Sequence, residues 1–141
     1  MLRPRRGVLS RGRQHRDWLR ISGLADEAIN FDHFVLRCRA IENEIDGATI
    51  GVEMNDASDC EVLRNRIRNV AVGVRIWWYS RIKEKGINEG NLIQGNDIEG
   101  AARSAVSVGR NCFRNRVIEN SVRGKIDVVE SDNEIRGNVQ R

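Results

Sequence analysis

Proline occurs once in this 141-residue sequence, at Pro4, and histidine twice, at His15 and His33. No apolar run approaches the roughly 18 residues of a membrane span, which excludes a transmembrane helix. The basic start is not followed by the apolar stretch of a secretory signal. Three cysteines, Cys38, Cys60 and Cys112, are too few for a four-cysteine zinc site and lack zinc-type spacing. From residue 37 onward leucine appears only at Leu63 and Leu92, too rarely for a leucine-rich repeat. An excess of positive charge is also lacking over most of the chain. The net charge is +4, from 24 Lys and Arg against 20 Asp and Glu. Residues 1–20 hold seven of the cations and one acid, leaving 17 cations against 19 acids beyond. The near-neutral body therefore argues against a nucleic-acid-binding domain.

Asparagine and glycine, by contrast, are abundant, with 13 of each. With almost no proline, they suggest frequent turns between short regular elements. Five segments share the template [Asn/Cys]-x-[Val/Ile/Ala]-x-x-Asn-x-[Ile/Val]. They begin at Cys38, Cys60, Asn91, Asn115 and Asn133, and their second anchors are Asn43, Asn65, Asn96, Asn120 and Asn138. A second strip follows each of the first four anchors: Ile50-Gly-Val52-Glu-Met54, Val72-Gly-Val74-Arg-Ile76, Ala105-Val106-Ser-Val108 and Ile126-Asp-Val128. Its period of two predicts half-buried strands. No single repeat can bury its apolar face, so the repeats are expected to stack into one core.

Charge supports that register. Stacked repeats bring equivalent residues about 4.8 Å apart, where like charges repel. The outward positions alternate in sign: Asp46, Arg68, Glu99, Arg123; Glu44, Arg66, Asp97, Ser121; Arg39, Glu61, Leu92, Arg116, Glu134; and the pair Glu53 and Arg75.

The pattern resembles the right-handed parallel β-helix of the pectin-lyase-like superfamily over residues 36–141. The resemblance implies an all-β fold: a short, right-handed, single-stranded parallel β-helix of about five coils. Asn43, Asn65, Asn96, Asn120 and Asn138 would form one ladder at a corner. Cys38, Cys60, Asn91, Asn115 and Asn133 would form another. Asparagine suits a corner because it tolerates left-handed backbone and bonds its neighbours. Residues 1–20 read as a disordered basic tail, and 21–35 as a cap (short helix) or irregular first coil. Cys38 and Cys60 would lie one coil apart, a spacing that accommodates either two buried thiols or a disulfide.

The step from Asn65 to Asn96 is longer than its neighbours and marks an insertion containing Trp77, Trp78 and Tyr79 with Arg81, Lys83 and Lys85. Strand parity continues the inward row Val72, Val74, Ile76 to Trp78 and turns Trp77 outward beside Arg75. Loops on a rigid scaffold often carry function. The candidate carbohydrate-binding set is therefore Arg75, Trp77, Tyr79, Arg81, Lys83 and Lys85, the aromatics stacking on sugar rings and the cations holding uronate carboxylates. The Arg81-Ile-Lys83 element is similar to one in polygalacturonases. The family's Asn-Thr-Asp, Asp-Asp and Gly-His-Gly segments are missing, and no catalytic set is visible. A lyase or uronan epimerase would need Ca²⁺-type carboxylates and a base, for which Asp56, Asp59, Glu84 and Glu89 are the nearest material. The pattern also fits repeat proteins that help assemble copper sites, but the repeats hold no Met or His cluster.

The expected function is thus a non-catalytic repeat module that binds polysaccharide or scaffolds a larger protein. The alternative is part of a carbohydrate-active enzyme, with Ca²⁺ as cofactor in the lyase case. The last repeat stops in mid-coil, so the expected cover for that end is further coils or an oligomer partner. The family resemblance implies a secreted, periplasmic or cell-surface setting.

Overall fold

The computed structural model describes residues 19–23, 25–78 and 88–141. Among them there is no helix, and hence none able to cross a membrane. Thirteen strands follow in order: β1 (Arg20–Ser22), β2 (Glu27–Asp32), β3 (Arg39–Ile41), β4 (Glu44–Asn55), β5 (Glu61–Leu63), β6 (Arg66–Trp77), β7 (Leu92–Gln94), β8 (Asp97–Val108), β9 (Arg116–Ile118), β10 (Ser121–Val122), β11 (Ile126–Val128), β12 (Glu134–Arg136) and β13 (Val139–Gln140).

They form two parallel sheets. The larger runs β1-β4-β6-β8-β10-β13, with β2 also beside β4 and β11 beside β8; the smaller runs β12-β9-β7-β5-β3. From β3 to β9 the chain alternates strictly between the two sheets, so each repeat adds one strand to each. Parallel neighbours require such crossovers.

The sequence template sets the register. Glu44 pairs with Arg66 and Arg66 with Asp97; Asp46 pairs with Arg68 and Arg68 with Glu99; Arg39 pairs with Glu61. Several of these columns close ion pairs, Arg39–Glu61 at 2.5 Å and Arg68–Glu99 at 3.9 Å. Being partly exposed, each stabilises by about 0.2–1 kcal/mol, enough to favour one register over its neighbours.

Apolar residues stack in matching columns on the inside. Ile45, Ile67, Ile98 and Val122 line the larger sheet, with Val62, Ile93 and Val117 opposite, all at 0% exposure. Each buried side chain of this kind contributes about 1.5–3 kcal/mol.

The ladders are present and are hydrogen-bonded throughout. Asn43, Asn65, Asn96 and Asn120 each donate from the backbone N–H and from Nδ2 to Oδ1 of the next asparagine, at 2.9–3.0 Å. The other Nδ2 hydrogen of Asn65, Asn96 and Asn120 reaches a carbonyl of the preceding repeat, that of Ala40, Val62 and Ile93 respectively. Asn91 and Asn115 repeat the arrangement at the second corner. There Cys60 stands in for asparagine: its Sγ accepts from the Cys38 N–H at 3.3 Å. All three thiols are free.

Three expectations are corrected. No asparagine of these two ladders has a left-handed backbone. That conformation falls on the residue just before it: Glu42, Arg64, Gly95, Glu119 and Gly137 at one corner, Arg37, Asp59, Gly90 and Arg114 at the other. The asparagine is used for its amide, and the turn is imposed on whatever residue precedes it. Second, of the two readings of 21–35, a cap (short helix) or an irregular first coil, the helix gives way: Glu27–Asp32 is strand β2, laid beside β4. Ile29 and Phe31 pair with Val52 and Met54 and pack on the core, so the apolar alternation extends the sheet. Third, Arg20 leaves the basic tail and opens β1 opposite Glu44; residues 1–18 lie outside the described residues.

Candidate ligand-binding face

The outer face of β4, β6 and β8 is not flat. A Cβ on Gly51 would lie 2.8 Å from Cγ2 of Ile67, and one on Gly73 2.6 Å from Cγ2 of Ile98. Both positions therefore face the core, yet Val52 and Val74, which follow them, are core residues too. Two successive inward residues fold the outer surface inward. Ile50 and Val72 then point away from the core: they are buried at 4% and 9% but stand apart from the core cluster. This corrects the sequence reading, which put Val72 in one inward row with Val74 and Ile76. Ser104, which pairs with Val72, is buried as well.

Beside this crease runs a polar column in strict register: Asn30, Glu53, Arg75, Ser107 and Asp127. Glu53 is 2% exposed. It accepts hydrogen bonds from Arg75 and from Asn55 Nδ2, the latter at 3.0 Å. Burial drives its pKa above the usual carboxylate range. Arg75 and Asn55 oppose that shift, and the neighbouring Glu27 carboxyl adds to it. At the far end Asp127 accepts from the Ser104 hydroxyl and pairs with Lys125 at 3.2 Å. The Ser104 bond, helped by Lys125, holds the Asp127 carboxyl below its ordinary range.

Trp77 borders the column. It is 44% exposed, and the Arg75 guanidinium carbon lies 5.1 Å from its ring centroid. Glu53 thus fixes Arg75, and Arg75 backs one side of the indole through a cation–π contact. Gly109 lies beside the ring: a Cβ there would sit 3.7 Å from Trp77 Cε3. Trp78 turns inward and packs against the core, as parity requires.

Of the predicted binding set, the structure therefore brings together Arg75 and Trp77, while Tyr79, Arg81, Lys83 and Lys85 lie outside the described residues. Sequence reading had Glu53 only as an ion-pair partner, although a carboxylate between Val52 and Met54 in an apolar strip already signals burial.

Of the carboxylates considered for a lyase, Glu84 lies outside the described residues, and Asp56, Asp59 and Glu89 form no metal-type cluster. Asp56 is buried beside Asn88, which donates to it at 3.4 Å, and Glu89 pairs with Arg114. Among the described residues, no three His, Cys, Asp or Glu side chains gather as a metal site requires. The described carboxylates therefore do not fit a Ca²⁺ centre. Cys112 is buried, and burial pushes its thiol up to about 12, far from a reactive thiolate. By register it falls below Ala57 and Asn88, where the Ala57 N–H donates to Asn88 Oδ1 at 3.1 Å. This is a short third ladder that the template did not reveal.

Comparison with known proteins returned nothing: no protein-family model, no curated protein and no solved structure matches this chain.

Proposed function

We propose that the chain is a right-handed, single-stranded parallel β-helix of about five coils, of the pectin-lyase-like kind. Alternation of consecutive strands between two parallel sheets, with amide ladders at the corners, supports this architecture. We infer that it serves as a non-catalytic module that binds polysaccharide on the outer face of β4, β6 and β8. The observation that carries the reading is Trp77, a half-exposed indole held in place by Arg75 and Glu53 at the edge of a polar column. Sugar rings present an apolar face that stacks on such a ring and hydroxyls that suit the Ser, Asp and Asn groups beside it. Because Glu53 engages Arg75, uronate recognition falls to Arg81, Lys83 and Lys85 in this reading.

The burial of Glu53, which raises its pKa, is the one observation that favours the enzyme alternative, since a general acid needs a raised pKa. One experiment addresses both. The full chain is tested against acidic and neutral polysaccharides by affinity electrophoresis, with product release followed with and without Ca²⁺. Retardation lost at least tenfold in Trp77→Ala, with no product, is the expected result. Binding equal in wild type and Trp77→Ala overturns the assigned face, and release of shortened or unsaturated products overturns the non-catalytic assignment.

A further inference from the structure

The three thiols divide into a pair and a single. Cys38 and Cys60 immediately precede Arg39 and Glu61, which are in register, so the two cysteines occupy equivalent positions on neighbouring repeats. In-register parallel neighbours place their Cα atoms about 4.8 Å apart, inside the span a disulfide bridges. The backbone holds them there from both sides: the Cys38 N–H donates to Cys60 Sγ at 3.3 Å, and the Glu61 N–H to the Cys38 carbonyl at 2.9 Å. Burial raises the Cys60 thiol, the Cys38 backbone N–H opposes that, and the neighbouring Cys38 thiol adds to it, so the two sulfur atoms feel one another.

This is also the weakest stretch of the second ladder. Asn91 and Asn115 give both their N–H and their amide to the residue below. Cys38 gives only its N–H. Its own thiol hydrogen reaches no better partner than the Leu36 carbonyl at 3.9 Å. Cys38 is half-buried and Cys60 fully buried, so one sulfur of the pair is open to a reagent.

We propose that Cys38 and Cys60 form a reversible dithiol–disulfide site, which in its oxidised form staples the first two strands of the smaller sheet. With oxidised glutathione as oxidant the chemistry balances. The Cys38 thiolate attacks one sulfur of the glutathione disulfide, forming a mixed disulfide and releasing one glutathione thiolate. Cys60, deprotonated by that thiolate, then attacks Cys38 Sγ and expels the second glutathione. Two protein thiols are oxidised, one disulfide is reduced, and two glutathione thiols leave with the two protons. Burial pushes the Cys60 thiol up to about 11, so the first attack falls to the more exposed Cys38. Cys112 sits at another corner with its thiol turned to backbone carbonyls and takes no part.

The test treats the native full chain with oxidised glutathione, quenches in acid, alkylates under denaturing conditions and maps peptides by mass spectrometry. The expected product is about 2 Da lighter than the reduced chain, carries a Cys38–Cys60 linked peptide, and leaves Cys112 as the one alkylated thiol. Its melting temperature rises on the order of 10 °C and falls back on reduction. In Cys60→Ser the reaction stalls as a glutathione adduct on Cys38. Three alkylated thiols, a wild-type adduct on Cys38 that never resolves, or a link that includes Cys112 would each overturn the proposal.

Discussion

Asn96 spends every polar atom of its side chain. Its Nδ2 donates to Asn120 Oδ1 and to the Val62 carbonyl, and its Oδ1 accepts from the backbone N–H and the Nδ2 of Asn65. Alanine at this position leaves two buried donors on Asn65 and one carbonyl without partners. At about 1–3 kcal/mol for each unsatisfied group, with partial relaxation, Asn96→Ala should cost about 3–5 kcal/mol in urea unfolding. A loss under about 1 kcal/mol would mean that the ladder is ornamental to stability. The asparagine columns were legible in the sequence because one side chain both donates and accepts, so the same residue must recur at each level. The residue before it was not legible. Glu42, Arg64 and Glu119 carry no turn signature, and the strain of their left-handed backbone is imposed by the ladder that follows.

At the scale of the strand, the crease in β4, β6 and β8 depends on having almost no side chain at the fold line. Gly51 and Gly73 are flanked in the column by Ala28 in β2 and Ala105 in β8, whose side chains are single methyl groups. Gly73→Ala would drive a methyl group into the Ala105 carbonyl and Ile98, and should destabilise by about 2–3 kcal/mol. The reciprocal Ala105→Gly should cost under about 1 kcal/mol. Equal effects in thermal melts would show that the two positions do not share this packing. The crease could not be read from sequence because Val-Gly-Val-Arg-Ile satisfies plain alternation. Only the direction of a missing Cβ shows that glycine and the valine after it both face inward. The candidate site inherits the difficulty. Trp77 and Arg75 were found through composition and parity, but the burial of Glu53 follows from a bend that no local pattern announces. Likewise the sequence leaves β2 open between a cap and an irregular first coil because it has no anchor asparagine, although Ile29 and Phe31 alternate with Asn30 and Asp32.

At the scale of the whole molecule, core and surface impose different conditions on the stack. Inside, Ile45, Ile67 and Ile98 are interchangeable, so any repeat fits on any other. Outside, the charge columns distinguish neighbours: Glu44 meets Arg66, which meets Asp97; Asp46 meets Arg68, which meets Glu99.

An arithmetic of growth follows. Duplicating residues 66–96 alone would set Arg66 on Arg66, Arg68 on Arg68 and Arg75 on Arg75. Duplicating 44–96 as a block would add two levels and keep every sign alternating. The single duplication should therefore melt below the double one at low salt, and 1 M NaCl should narrow the gap. Tandem gain or loss of material in such a chain is tolerated by evenness: the interior counts in ones, the exterior in twos.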